Sequence, residues 1–128
     1  MDHDRAAKHA ANEARLRSLN QDLAKHDHES GYDEVPLAFV CECFRPECGV
    51  HLQMDARSWG RVHEDRDQFI VAPGHEDVPE VEVVVERQPA WWVVRKLGVA
   101  RDVARKVGAE LTATKPHSAL YPRRLDGN

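Results

Sequence analysis

No stretch of the chain approaches the roughly 18 consecutive apolar residues of a membrane span. The opening residues Met1-Asp2-His3-Asp4-Arg5 are polar. Neither a signal peptide nor an anchor is therefore expected, and a cytoplasmic location follows. Aromatic side chains are scarce, at 6% of residues, so few large groups are available to fill an interior and a staple would add to stability. A Gly-rich phosphate loop, a nucleophile elbow and an H-E-x-x-H helix are all missing, which removes the sequence marks of NTP-binding enzymes, α/β-hydrolases and zincin proteases. Cysteine is rare and odd in number, at three. A reducing compartment disfavours disulfides, and a bridge from Cys41 to Cys43 would close a small, strained ring.

What the chain does hold is a dense thiol segment, Cys41-Glu42-Cys43-Phe44-Arg45-Pro46-Glu47-Cys48, and a histidine in the turn-like Ala72-Pro73-Gly74-His75. Three thiolates and an imidazole make a full donor set for tetrahedral Zn²⁺, and a shell closed by four protein ligands is structural. Residues two apart on an extended chain face the same way, so Cys41 and Cys43 can share one ion. Pro46 and Gly49 then bend the chain to return Cys48. The candidate metal ligands are Cys41, Cys43, Cys48 and His75. His75 is preferred as the fourth because Pro73-Gly74 supplies a tight turn to present it. His51 and His63 stand nearer the cysteines in sequence and remain alternatives, although His63 falls mid-helix among exposed charges. His3, His9, His26 and His28 read as solvated surface residues.

At 128 residues, 41% hydrophobic and 31% charged, the chain is a globular unit with one core. Helix-forming residues without Gly or Pro predict a helix from about Arg5 to Lys25, fraying before Asn12, with Leu16, Leu19 and Leu23 as an apolar stripe. His26 to Gly31 is a polar break. Val35 to Cys41 reads as a strand and His51 to Met54 as a second. Asp55 N-caps a helix through Asp67 with Trp59 and Val62 inward. Phe69 to Val71 is a buried strand. Val81 to Glu86 and Trp91 to Arg95 form an antiparallel hairpin. A last helix spans Val99 to Leu111, with Val99, Val103 and Val107 on one face and Gly98 and Gly108 near its ends.

The expected architecture is α+β: a small, mostly antiparallel sheet with an N-terminal helix, one short inserted helix and a C-terminal helix, stapled by one structural zinc. Residues 1–30 form the N-terminal helix and polar break, 31–111 the zinc-stabilised α+β domain, and 112–128 a flexible basic tail.

The formal net charge of -4 hides an asymmetry. From Arg95 onward, Arg95, Lys96, Arg101, Arg105, Lys106, Lys115, Arg123 and Arg124 face only Asp102, Glu110 and Asp126. The segment before it, with Glu76, Asp77, Glu80, Glu82 and Glu86, is acidic. Such polarity can orient a partner.

The stretch Phe39-Val40-Cys41-Glu42-Cys43, Cys48, Val71-Ala72-Pro73-Gly74-His75-Glu76, Glu80-Val81, Val84-Val85-Glu86-Arg87 and Trp92-Val93-Val94 resembles a family of small uncharacterised actinobacterial proteins over roughly residues 10–97. The densest shared motifs are C-E-C and A-P-G-H-E. The resemblance implies the same ligand set, Cys41, Cys43, Cys48 and His75, and adds nothing about function. At Met54-Asp55-Ala56-Arg57-Ser58-Trp59 the chain departs from the family's Leu-Thr and acidic-Tyr helix start, and its basic tail is longer.

Three functional classes are consistent with these residues. The first is a zinc-stabilised module, not an enzyme, that binds another protein in regulation. Its contacts would be the Trp91-Trp92 hairpin and the leucine stripe. The second is nucleic-acid binding through the basic C-terminal helix and the tail Lys115, His117, Tyr121, Arg123 and Arg124. A pI near 6.0 weighs against it. The third is an open three-thiolate zinc with Glu42, Glu76 or Asp77 as base, which suffers because thiolate donation makes the metal a poor Lewis acid. Oxidation of Cys41 or Cys43 with zinc loss is compatible with the first class.

Overall fold

The computed structural model describes residues 2–113. The first helix, α1 (His3–Glu29), starts where the Asp2 carboxylate accepts a hydrogen bond from the Arg5 N–H at 2.8 Å. It stops at Ser30 and Gly31, whose φ of 82° only glycine adopts without strain. The hairpin β1 (Pro36–Val40) and β2 (His51–Asp55) follows, with Phe39 opposite Leu52 and Leu37 opposite Met54. Asp55 then caps α2 (Ala56–Val62), its carboxylate accepting from the Ser58 N–H at 2.7 Å. Strands β3 (Gln68–Val71), β4 (Glu82–Arg87) and β5 (Trp92–Lys96) form a second sheet in the order β3-β5-β4, and α3 (Gly98–Ala113) is the last element among the described residues.

The fold is α+β, with every strand pair antiparallel. The single small sheet expected from the sequence is two sheets, of two and three strands. They meet where Cys41 and Glu42 leave β1: the Glu42 N–H donates to the Ile70 carbonyl of β3 at 2.8 Å. That contact occupies one edge of the three-stranded sheet, and β4, interrupted by an irregularity between Val84 and Glu86, forms the other.

Several expectations about the helices are corrected. The segment before Asn12 does not fray, because Ala6 and Ala10 are buried and α1 packs along α3. The buried face of α1 is Ala6, Ala10, Glu13, Ala14, Asn20, Ala24 and Asp27, not the leucine stripe. Leu16 and Leu23 lie half-buried on its flank, and Leu19 is 60% exposed. Small side chains on α1 meet Ala100 and Ala104 of α3, so the helices approach closely. On α3 Ala100 and Ala104 are buried where the valines were expected, Val103 and Val107 are half-buried, and Val99 is exposed. Gly108 is interior to α3. α2 ends at Val62, so His63 is its C-cap rather than a mid-helix residue, and it is buried. Thr112 and Ala113 continue α3, and the rest of the expected tail lies outside the described residues.

Phe39, Leu52, Met54, Trp59, Phe69, Ile70, Val71, Val93 and Val94 form the apolar centre, with Phe39 and Trp59 stacked at 5.9 Å. Trp91 and Trp92 pack half-buried against it.

Candidate metal centre

The four side chains singled out in the sequence come together. Cys41 continues β1, Cys43 follows it on the same side of the extended segment, and Cys48 returns through the turn closed by its N–H to the Arg45 carbonyl at 3.2 Å. Gly49, with φ of 63°, carries the chain onward. From the far side comes His75, presented by the turn Ala72-Pro73-Gly74-His75. Its N–H to Ala72 carbonyl bond is 2.9 Å, and Gly74 sits at φ 83°. Proline second and a left-handed glycine third are the demands of a type II turn.

One donor atom from each of Cys41, Cys43, Cys48 and His75 lies within 4.8 Å of every other. The His75 Nδ1 is 3.7 Å from Cys41 Sγ and 3.5 Å from Cys48 Sγ. Metal bonds of about 2.3 Å to sulfur and about 2.0 to 2.1 Å to nitrogen, spread tetrahedrally, put sulfur and nitrogen about 3.5 to 3.6 Å apart. The spacing therefore fits one ion held through Nδ1. Among the described residues this is the one such group of His, Cys and acidic side chains.

The chemistry of the thiols points the same way. All three are free of disulfides; Cys41 and Cys43 are buried and Cys48 is half-buried. Cys41 Sγ accepts the Ala72 N–H at 3.1 Å. The Cys43 thiol is pulled down to about 4 by the hydrogen bond from Cys41, against burial and with help from the Arg45 N–H and His75. Cys41, donor in that contact and buried, is pushed up. Three sulfurs so crowded compete for protons, and a divalent cation replaces those protons as the group that holds them together.

The other histidines weighed as ligands are elsewhere. His51 is exposed at the start of β2. His63 is turned into the core, with Nδ1 2.7 Å from the Trp59 carbonyl and Nε2 2.7 Å from Glu42 Oε1. Both ring nitrogens face acceptor oxygens. The expectation that His63 sits among exposed charges is thus overturned. His9 and His28 are not free surface residues either: each ring lies 2.7 Å from a carboxylate, of Asp77 and Asp33 respectively. His3 and His26 are exposed as expected.

Glu42 is the residue that sequence reasoning misplaced. Its carboxylate is wholly buried, Oε1 accepting from His63 and the Ile70 N–H at 2.9 Å, and Oε2 from Asn20 Nδ2 at 2.8 Å and Trp59 Nε1 at 3.0 Å. Burial pushes its carboxyl up, but the His63 charge and these donors outweigh that and hold it below the usual range. It has no lone pair to spare as a base. The signal was present: if Cys41 and Cys43 face the metal, period two turns Glu42 to the opposite side.

Compared with protein-family models, curated proteins and solved structures, the chain finds no match.

Proposed function

We propose that this protein is a cytoplasmic, zinc-stabilised module that binds another protein in a regulatory role and performs no catalysis itself. The observation that carries the reading is the donor set: three sulfurs and one ring nitrogen from the chain at tetrahedral spacing. Soft thiolates favour zinc over harder cations, and four protein ligands leave no position for a substrate or an activated water. Two of the three candidate bases weaken catalysis further. Glu42 is sealed in the core, and Asp77 is engaged by His9 and by the Val78 N–H at 2.8 Å. The likeness to the small actinobacterial family belongs to the same proposal.

A binding role then has to use surface. The β4–β5 hairpin supplies one: Val83 and Val85 on the edge strand are 45% and 40% exposed, and Arg87 covers the Trp92 ring at 4.9 Å. The nucleic-acid reading has less support. Arg105 holds Asp67 through two bonds of 2.7 and 2.9 Å, Arg95 holds Asp65 and Gln68, and Lys96 is buried against Glu13 and Glu82. Cations already met by acids release few counterions on binding a phosphate backbone. No described helix is long and apolar enough to cross a membrane.

A photo-crosslinking residue at Val83, in protein expressed in its own host, is expected to give a covalent adduct with another polypeptide. Adducts with nucleic acid that vanish as salt rises would replace this reading with the alternative, and no adduct of either kind would contradict a binding role for the hairpin.

A further inference from the structure

We infer that metal occupancy is sensed by the N-terminal half of α1, which docks on two loops whose tips the metal would tie together. This rests on the metal reading above and extends it to a moving part.

The loops are 41–50, between β1 and β2, and 72–81, between β3 and β4. Both are anchored at one end, the first by the Glu42 N–H to the Ile70 carbonyl at 2.8 Å and the second by the Leu97 N–H to the Val81 carbonyl at 2.8 Å, and the Ala72 N–H reaches Cys41 Sγ at 3.1 Å. Toward their tips the backbone bonds are local turns, such as Cys48 N–H to Arg45 carbonyl and His75 N–H to Ala72 carbonyl. The sulfur and imidazole cluster joins one to the other. His9 of α1 spans the same pair of loops: its ring stacks on Phe44 of the first at 4.3 Å, and its Nδ1 lies 2.7 Å from Asp77 of the second. One turn later, Asn12 Nδ2 reaches the Cys43 carbonyl at 3.4 Å. Otherwise this half of the helix buries Glu13 against Lys96 and packs along α3, with small side chains, Ala6, Ala10 and Ala14, turned inward. A buried methyl contributes only about 0.8 kcal/mol.

The C-terminal half is held differently. Arg17 donates to the His63 carbonyl at 3.0 Å, and Asn20 donates to the Val40 carbonyl at 2.8 Å and accepts from the Val40 N–H at 3.0 Å. Those partners belong to α2 and β1, elements that their own backbone bonds maintain. Withdrawing the ion would free Phe44 and Asp77 to drift, remove the two-sided seat of His9, and leave Asn20 and Arg17 in place. The release also reaches inward, because the Asp77 N–H donates to Glu82 Oε2 at 2.6 Å, and Glu82 shares Lys96 with Glu13 of α1. Metal loss therefore loosens one end of one helix and uncovers the face beneath it.

The experiment is hydrogen exchange on the full chain, zinc-loaded and after chelation, with metal content assayed first. Protection of amides 5–13 is expected to fall by about 5- to 150-fold, the usual size of a coupling between sites, while amides 18–27 keep theirs. Equal loss along the whole helix, or no loss, overturns the inference. Coupling is reciprocal, so His9→Ala, which keeps helix propensity, should weaken zinc affinity by the same factor in competition with a chromophoric chelator. Unchanged affinity also overturns it. The two readings separate cleanly: protein without stoichiometric metal defeats both, whereas metal-bearing protein whose first half stays protected after chelation defeats only this one.

Discussion

Between two sulfurs that face the candidate ion, Glu42 points the other way and organises the core. Its carboxylate receives four hydrogen bonds, from α1, from α2 and its C-cap, and from the β3 backbone, and its partner His63 is nearly as buried. Glu42→Gln replaces one acceptor oxygen by a donor amide facing only donors, and removes the carboxylate charge that faces the His63 ring. Breaking a buried pair from one side costs about 3 to 5 kcal/mol, so the urea midpoint at pH 7 should fall accordingly. A loss below about 1 kcal/mol, the scale of an ordinary hydrogen bond, would contradict the assignment. Acid dependence follows from the sign of the shift. A carboxyl held below its usual range in the fold stabilises above the unfolded value of about 4.3 and loses that contribution as pH falls through the lower folded value. Stability curves of wild type and variant should therefore converge toward acid. The thiol ligand candidates were legible in the sequence because C-x-C fixes relative direction. The same period two gives the direction of Glu42, but its pairing with His63 was not legible, because nothing local marks two charged residues 21 positions apart as a buried pair.

At the level of elements, α1 and the strands beneath it meet through charge as much as through apolar contact. Lys96, Glu13 and Glu82 are fully buried side chains in ion-pair range, yet they are not equivalent. Lys96 Nζ donates to Glu82 Oε1 at 2.7 Å, and Oε2 accepts the Asp77 N–H. Glu13 lies 2.5 Å from the ammonium but makes no aligned hydrogen bond. Burial drives its carboxyl well above the usual range, opposed chiefly by Lys96, while the two acids together raise Lys96 despite its own burial. Glu13→Gln is thus expected to be neutral or mildly stabilising, whereas Glu82→Gln, which leaves the ammonium with its poorer partner, should cost about 3 to 5 kcal/mol. Thermal melts of the two variants decide it, and equal effects would contradict the asymmetry. Helix and strand positions could be read from periodicity and caps, and each element appears within a few residues of its expected place. The inward faces could not: leucine and valine stripes promise burial, but close helix approach selected alanine, and hydrogen-bonded polar groups took the remaining inward positions.

Taken whole, the molecule joins two small antiparallel sheets and three helices around a core with few aromatics, and its two irregular loops converge on one cluster of sulfur and nitrogen. Structural zinc in small domains supplies about 10 to 16 kcal/mol, as much as a typical domain's entire net stability. Its loss should therefore lower the melting temperature sharply. The α+β class and the clustering of Cys41, Cys43, Cys48 and His75 were readable because both rest on spacing along the chain, whereas the split into two sheets depends on the crossing at Glu42 and Ile70, which no local pattern announces. Elemental analysis of protein purified without added metal tests the central claim most directly. The account predicts one zinc per chain, lost on His75→Ala and retained on His51→Ala. A chain that carries no stoichiometric metal while folding to the same melting temperature in the presence of a strong chelator would contradict it.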